Sequence, residues 1–454
     1  MKREGKTFRT SVVLIAMLLL LLPVSTLLAG GTQEAETADV ESFSWQNFEG
    51  QKVRLMMAQK QWAQIVEPLL PEFEKLSGID VVAETFPENQ FRQKLSIELA
   101  SGTGSADVFM ADALVGGPLY YKSGWIQPLN EFLEDDNLTA AEFDYSDYLD
   151  AVKTAATLDG SVLGLCSEVD GQILYYNTEL FSSLGVAVPE TLAGIEEAAS
   201  AISTKGGSDT YGIAMRGMGP KAVSQWSTFM ANLGGWWVDN NGDADLTSDK
   251  NIQAFEMYGR LLREYGPPGA ANLDWPDALS VFAQGKVGMF CDAASFRKTV
   301  VDPDSSRIVD KWSARSMPPG PNGTHPMTNS WMLSIGEGSK VKAASWLLVQ
   351  WLLSKDMVLE SLMQGIPSPR SSAWKSSQFT SQDKYPFWTE AFMQNLKTGN
   401  PQFQAPVINV AKAKDIIGPV ITAAIAGEDV SKAAEKANVE LQVLLEEERQ
   451  KYGQ

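Results

Sequence analysis

Residues 52–58 read KVRLMMA, 61–78 QWAQIVEPLLPEFEKLSG, 79–86 IDVVAETF, 89–102 NQFRQKLSIELASG and 106–112 ADVFMAD. The first, third and fifth stretches are short and apolar between polar breaks, which predicts strands. The second and fourth are longer, with apolar residues at helical spacing. Each ends at a glycine, Gly78 or Gly102, the residue a helix C-terminus accepts in the left-handed region. Strand, helix, strand, helix, strand is the opening of an α/β domain with a largely parallel sheet. In such sheets ligands bind just past the carboxyl ends of the strands. That places Gln59 and Lys60, after the first strand, and Asp112, at the end of the third, near one rim.

The alternation continues downstream. SVLGLC (161–166) and QILYYN (172–177) read as strands around a polar break from Ser167 to Gly171. TLAGIEEAASAIS, SQWSTFMANLGG and NIQAFEMYGRLLREYG read as helices, with the strand TYGIAMRG before the second. The tail EDVSKAAEKANVELQVLLEEERQKYG is a further helix. A chain of 454 residues exceeds what one core usually holds, so two domains are expected. Hydrophobic content of 44% with 20% charged residues belongs to a folded protein.

The N-terminus has a different character. Lys2, Arg3, Lys6 and Arg9 precede an apolar run from Val12 to Leu22, and Ala29-Gly30-Gly31 supplies small residues for cleavage. This is the layout of a Sec-type signal peptide over residues 1–31, which implies a periplasmic or extracellular protein. The run falls short of the roughly 20 residues a spanning helix needs. Leu28-Ala29-Gly30-Gly31 carries Gly31 where a bacterial lipoprotein would carry its lipidated Cys, so a released protein is expected. Residues 32–46, polar and acidic, read as a flexible leader.

Composition also excludes partners and chemistries. A net charge of −19 makes the chain a poor ligand for nucleic acid or an anionic membrane. Its two cysteines, Cys166 and Cys291, lie in strand-like stretches and read as free buried thiols. The one histidine, His325, sits in the turn PGPNGTHP, so a common zinc site is out of reach and any Ser-His or Cys-His apparatus would rest on it alone. An enzyme built from this chain would have to work with carboxylates.

Residues 282–296, FAQGKVGMFCDAASF, pose a sharper question. A strand ending in Asp292 and small residues is either a core strand followed by a helix N-cap or a strand that ends at a cleft. Together with LASGTGSADVFMADA (99–113), GQILYYNTELFSSLGVAVPETLAGIEEAASAI (171–202), SKVKAASWLLVQWLLS (339–354) and GIPSPRSS (365–372), this stretch resembles the extracellular solute-binding proteins of bacterial ABC importers, the group that includes maltose-binding protein. YGIAMRG (211–217), EYGPPGAA (264–271) and DPDSSRIVDKW (302–312) look most like its mannitol and sorbitol branch.

The resemblance implies a two-lobed α/β periplasmic-binding-protein fold, type II, with hinge crossings near 168–171, 315–318 and 366–370. One lobe would take 47–168 and 317–366, the other 169–316 and 367–454. It implies a monomeric, non-enzymatic receptor without a cofactor, whose partners are a sugar or polyol and the permease subunits of an importer. A receptor for another small solute, a chemoreceptor adaptor and a secreted carbohydrate-active enzyme remain as alternatives. A polyhydroxylated ligand needs planar polar groups and aromatic faces. The candidates are Asp112, Arg216 and Asp292 at strand ends, Trp331 just after the second crossing, Glu168 and Asp170 at the first crossing, and Arg370 at the third. Trp236, after Gly234-Gly235, and Trp62, beside Gln59, complete the set with Gln59 itself.

Overall fold

The structure is a computed structural model that describes residues 42–453. The expected signal peptide and most of the expected leader lie outside the described residues. The end of the leader does not behave as free chain, because Phe43 and Trp45 pack edge to face and lie against the core.

The opening alternation forms as the residues predict. Strand β1 (Lys52–Ala58) is followed by helix α1 (Gln61–Val66), a single 3₁₀ turn and helix α2 (Leu70–Ser77). Pro68 and Pro71, each lacking an N–H to donate, split the expected single helix there. Gly78 closes α2 at φ +70°, and a side chain on it would strike Glu49. Strand β2 (Asp80–Phe86), helix α3 (Glu88–Ser101) and strand β3 (Val108–Asp112) follow. Helix α3 turns Phe91, Leu95 and Leu99 into the core, four residues apart and so on one face. Each such side chain contributes about 1.5–3 kcal/mol when fully buried.

The sheet is mixed rather than largely parallel. Its β1, β2 and β3 are parallel, but the pairings that follow, made by the next two strands, are antiparallel, so one of the two runs against β1–β3 and the other runs with them. These are β4 (Leu165–Asn177) and, later in the chain, β8 (Thr328–Gly336). Beyond β4 lie β6 (Val287–Ala293) and then β5 (Tyr211–Ala214), parallel to each other. The spatial order is β2-β1-β3-β8-β4-β6-β5 within nine strands, and β7 (Trp312–Ser316) pairs with β4 off this path. The parallel ends come from strand–helix–strand units; the antiparallel centre comes from chain passing between the two ends.

Strand β4 is the axis of that arrangement. Its first part, Leu165 to Gly171, pairs with β8, and its second, Gln172 to Asn177, pairs with β6 and β7. A Cβ on Gly171, where the pairing changes hands, would lie 2.7 Å from the Asn395 side chain. Residues 366–370 also come to this place, since Val169 donates its N–H to the Pro367 carbonyl.

Two hydrophobic cores flank the sheet. The second gathers helix α4 (Leu192–Lys205), α5 (Gly219–Leu233), α6 (Asp249–Tyr265), α7 (Val410–Ala426) and α8 (Val430–Tyr452). At its centre Trp226 stacks on Phe255 at 3.9 Å and meets Trp237 edge-on. Cys166 and Cys291 are free and buried, on β4 and β6. Burial pushes the Cys166 thiol up to about 12 and raises that of Cys291 further.

Candidate ligand-binding site

One face of the central strands carries the first wall. Trp331 on β8 stands in register with Asp112 on β3 and with Glu168 on β4, while Asn329 stands opposite Asp170. Residues two apart on a strand share a face, so Asn329 and Trp331 project together, and a bulge after Trp331 bends the strand there. Asp112 uses Oδ1 to accept the N–H groups of Leu114 (3.2 Å) and Val115 (3.0 Å), and Oδ2 to accept from Asn329 Nδ2 (2.9 Å). It therefore secures the turn after β3 and faces the cavity at once.

Trp331 is held by two cations. Lys60, at the start of α1, lies 4.5 Å from its ring and 2.7 Å from Glu168 Oε1. Arg92, on the first turns of α3, lies 4.8 Å from the same ring. Arg92 also reaches Glu88 Oε1 at 2.9 Å and Asp112 Oδ2 at 3.6 Å. Burial would raise the Glu88 carboxyl, yet the charges of Arg92, Lys60 and Lys221 hold it far below the usual carboxylate range. Asp170 shows the reverse. Burial and then the neighbouring Glu168 push it up to about 6, although its oxygens accept from Ser295 Oγ (2.5 Å) and from the N–H groups of Gly171 (2.9 Å) and Ser295 (3.2 Å).

The opposite wall begins with Arg216, just past β5. Its Nε and Nη2 donate to the two oxygens of Asp292 at 2.8 and 2.7 Å, a bidentate pair. Asp292 is fully buried and accepts two further bonds, from Gln225 Nε2 (3.0 Å) and from the Ala293 N–H (2.8 Å). Strand β6 runs on through Ala293, so Asp292 is not a helix cap, nor does it line the cavity. It aims Arg216.

Helices α5 and α7 finish this wall. They cross where Gly418 meets the backbone of Gly219 and Pro220, and a Cβ on Gly418 would lie 2.4 Å from the Pro220 nitrogen. That close approach brings Lys414 of α7 to Ser224 of α5, Nζ to Oγ 2.7 Å, and Gln404 Nε2 donates to the same hydroxyl at 3.0 Å. Lys221 donates to Asn89 Oδ1 on α3, bridging the two sides. Trp275 and Phe296, stacked at 5.0 Å, add an apolar face.

The partly open space between the walls is about 200 Å³. Gln225 Oε1 and Asn329 Oδ1, on residues that line it, are buried acceptors with no partner among the described residues. The walls thus offer cationic donors and spare carbonyl acceptors together, which suits hydroxyl groups, able to donate and accept at once. Among the described residues no group of three or more His, Cys, Asp or Glu could hold a metal ion.

Of the residues singled out in the sequence, Asp112, Asp170, Arg216 and Trp331 line this cavity, as does Lys60. Glu168 and Asp292 lie directly behind it, each paired to a cation that lines it. Four lie elsewhere. Gln59 is exposed, outside the lining. Trp62 is buried in the first core, on the side of α1 that packs inward. Trp236 borders a separate surface hollow with His325 and Asn400. Arg370 is fully buried, lies over the rings of Phe143 and Tyr148, and donates to the carbonyls of Leu353 (3.0 Å) and Asp144 (2.8 Å); its charge anchors a loop. Sequence reasoning missed Arg92, Glu88, Lys221, Gln225, Asn329 and Lys414. For Arg92 and Glu88 a signal existed, since they sit four apart on the helix that follows a strand's carboxyl end.

The fold and this cleft-like site define a class of binding protein. The model for bacterial extracellular solute-binding proteins matches residues 59–358. The chain belongs to that family, whose members are binding proteins. It is 27% identical over 341 residues to an erythritol/L-threitol-binding protein of Mycolicibacterium smegmatis, covering 71% of each chain. A solute-binding protein of Agrobacterium radiobacter, solved with ribitol, superposes with a TM-score of 0.80 at 25% identity, over 87% of this chain and 99% of that one. Another, of Agrobacterium vitis with bound D-mannitol, gives a TM-score of 0.76 at 26% identity, over 89% and 99%. The expected two-lobed, maltose-binding-protein-like fold is thereby established.

Proposed function

We propose that this protein is the capture subunit of an ABC importer for a polyhydroxylated solute of the linear polyol class. The observation that carries the reading is one partly open cavity with two walls, one on the central strands and one chiefly on helices α5 and α7, each wall supplying polar groups. Relatives and structural neighbours that bind erythritol or threitol, ribitol and mannitol support the class of ligand.

In this reading the lobes are 47–168 with 317–366 and 169–316 with 367–454, and they hinge at β4. Ser316 standing opposite Ile173, and the Val169 N–H meeting the Pro367 carbonyl, support three crossings gathered at β4. Asp112, Asn329 and Trp331 would hold solute from one lobe and Arg216 and Gln225 from the other, with Asp170 at the hinge. A solute touching both lobes stabilises the closed form, the form a permease recognises. Delivery to permease subunits, action as a monomer, and export by the signal peptide belong to the same proposal.

A thermal-shift series with erythritol, ribitol, mannitol and maltose tests it. Ligand that binds only the folded state raises Tm once its concentration exceeds Kd. A rise with at least one linear polyol is expected. No rise with any polyol, alongside a rise with maltose, would overturn the polyol class.

A further inference from the structure

The cations of the cavity fall into two sets. Lys60, Arg92 and Arg216 each have a carboxylate within 4.0 Å, namely Glu168, Glu88 and Asp292. Lys221 and Lys414 have none that close among the described residues, although Glu88 and Asp274 attract Lys221 from farther off; their ammonium groups donate to Asn89 Oδ1 and Ser224 Oγ, both neutral. Both line the cavity and project from adjacent helices locked together at Gly418 and Pro220. Enclosing an ammonium without a counter-charge is costly, and the cost is relieved when an anion enters with it.

We infer that Lys221 and Lys414 form a subsite for a carboxylate, so that the preferred solute is a linear polyhydroxy acid, an aldonate, rather than a neutral polyol. The inference rests on the receptor reading above and narrows its ligand. The hydroxylated end of the solute lies against Asp112, Asn329 and Arg92, and its carboxylate end faces the two lysines. Both arginines are already committed to carboxylates, which leaves the lysines to supply the free positive charge. The environment of Lys414 agrees. Burial pulls it down to about 7, Asp112 attracts its charge, and Arg92, Arg216 and Lys221 repel it; Asp415 is the acid beside it on its own helix.

The test is calorimetric titration of the purified protein with carbon-matched pairs, ribitol against ribonate and mannitol against mannonate, for the protein as it stands and for Lys414→Met and Lys221→Met. The aldonate is expected to bind at least tenfold more tightly than its polyol, and Lys414→Met to erase most of that ratio. Polyol binding equal to or tighter than aldonate binding overturns the inference and leaves the polyol receptor intact. An aldonate preference unchanged in both variants overturns the assignment to these lysines. Binding of neither member of either pair, with a rise in Tm for another solute, overturns both readings. Should the variants fail to fold, titration of the unaltered protein at pH 8 in two buffers of different ionisation enthalpy decides. Ribonate or mannonate binding is expected to take up a proton where the polyol does not, and equal uptake by both counts against the subsite.

Discussion

The two walls of the cavity are built from different material. One rests on strands β3, β8 and β4, whose register sets Asp112, Trp331 and Asp170 by backbone pairing. The other rests chiefly on helices α5 and α7, whose Lys221, Ser224 and Lys414 are set by a glycine contact between helices. On the strand wall the cations are paired and stacked on one indole; on the helix wall two ammonium groups have no carboxylate within 4.0 Å among the described residues. A sheet fixes its side chains through hydrogen bonds and holds them before any ligand arrives. A helix pair leaves long side chains whose charge a ligand can complete.

The largest expected effect comes from the one place where the helix wall is as tightly paired as the strand wall. Arg216→Ala leaves Asp292 charged and fully buried, at an expected cost of about 3–5 kcal/mol in urea unfolding. Adding Asp292→Asn should recover part of the stability and none of the solute affinity. If Arg216→Ala alone were neutral, the pairing behind this wall would not be structural.

Arg370→Met is expected to cost about 2–4 kcal/mol, from lost charged hydrogen bonds and ring contacts. Affinity for the solute, by titration of the folded protein, should stay unchanged because Arg370 lies outside both walls. A large loss of affinity would place the third crossing in the site after all.

A smaller effect separates the walls by pH. Asp170 holds its proton up to about pH 6 in the folded chain, against the ordinary 3.8 of a free aspartate. Over that window the folded state binds a proton that the unfolded state has lost, so stability falls as pH rises from about 4 to 6. The total fall should amount to about 2–3 kcal/mol and be absent in Asp170→Asn, by urea midpoints across pH 4 to 7. Smallest of all, Trp236→Ala should leave solute affinity within about twofold, since the half-exposed indole borders a different hollow.

What the sequence made legible follows the same division. Alternation from Lys52 to Asp112 predicts five elements, and the rule that ligands gather at strand ends finds Lys60, Asp112 and Arg216, while the expected second crossing finds Trp331. The helix wall was harder to read. Helix α5 starts at Gly219-Pro220, a pair that reads as loop, although proline suits a first turn, and those extra residues deliver Lys221. Helix α7 contains Gly418-Pro419, which argues against a helix; Pro419 lacks the N–H that Asp415's carbonyl would receive. The glycine is there because another helix needs the space, a reason no local pattern carries. The tryptophans mislead for the converse reason. Trp62 and Trp236 sit near cleft positions along the chain, but side-chain direction is decided by packing.

The two cysteines have a practical consequence. Cys166 and Cys291 are buried, and their environment keeps them as protonated thiols, the form that does not attack alkylating reagents. A single cysteine introduced on the rim would therefore be the one site to take a maleimide dye in the folded protein. An optical sensor for solute capture can be made from this chain without first deleting its own sulfur.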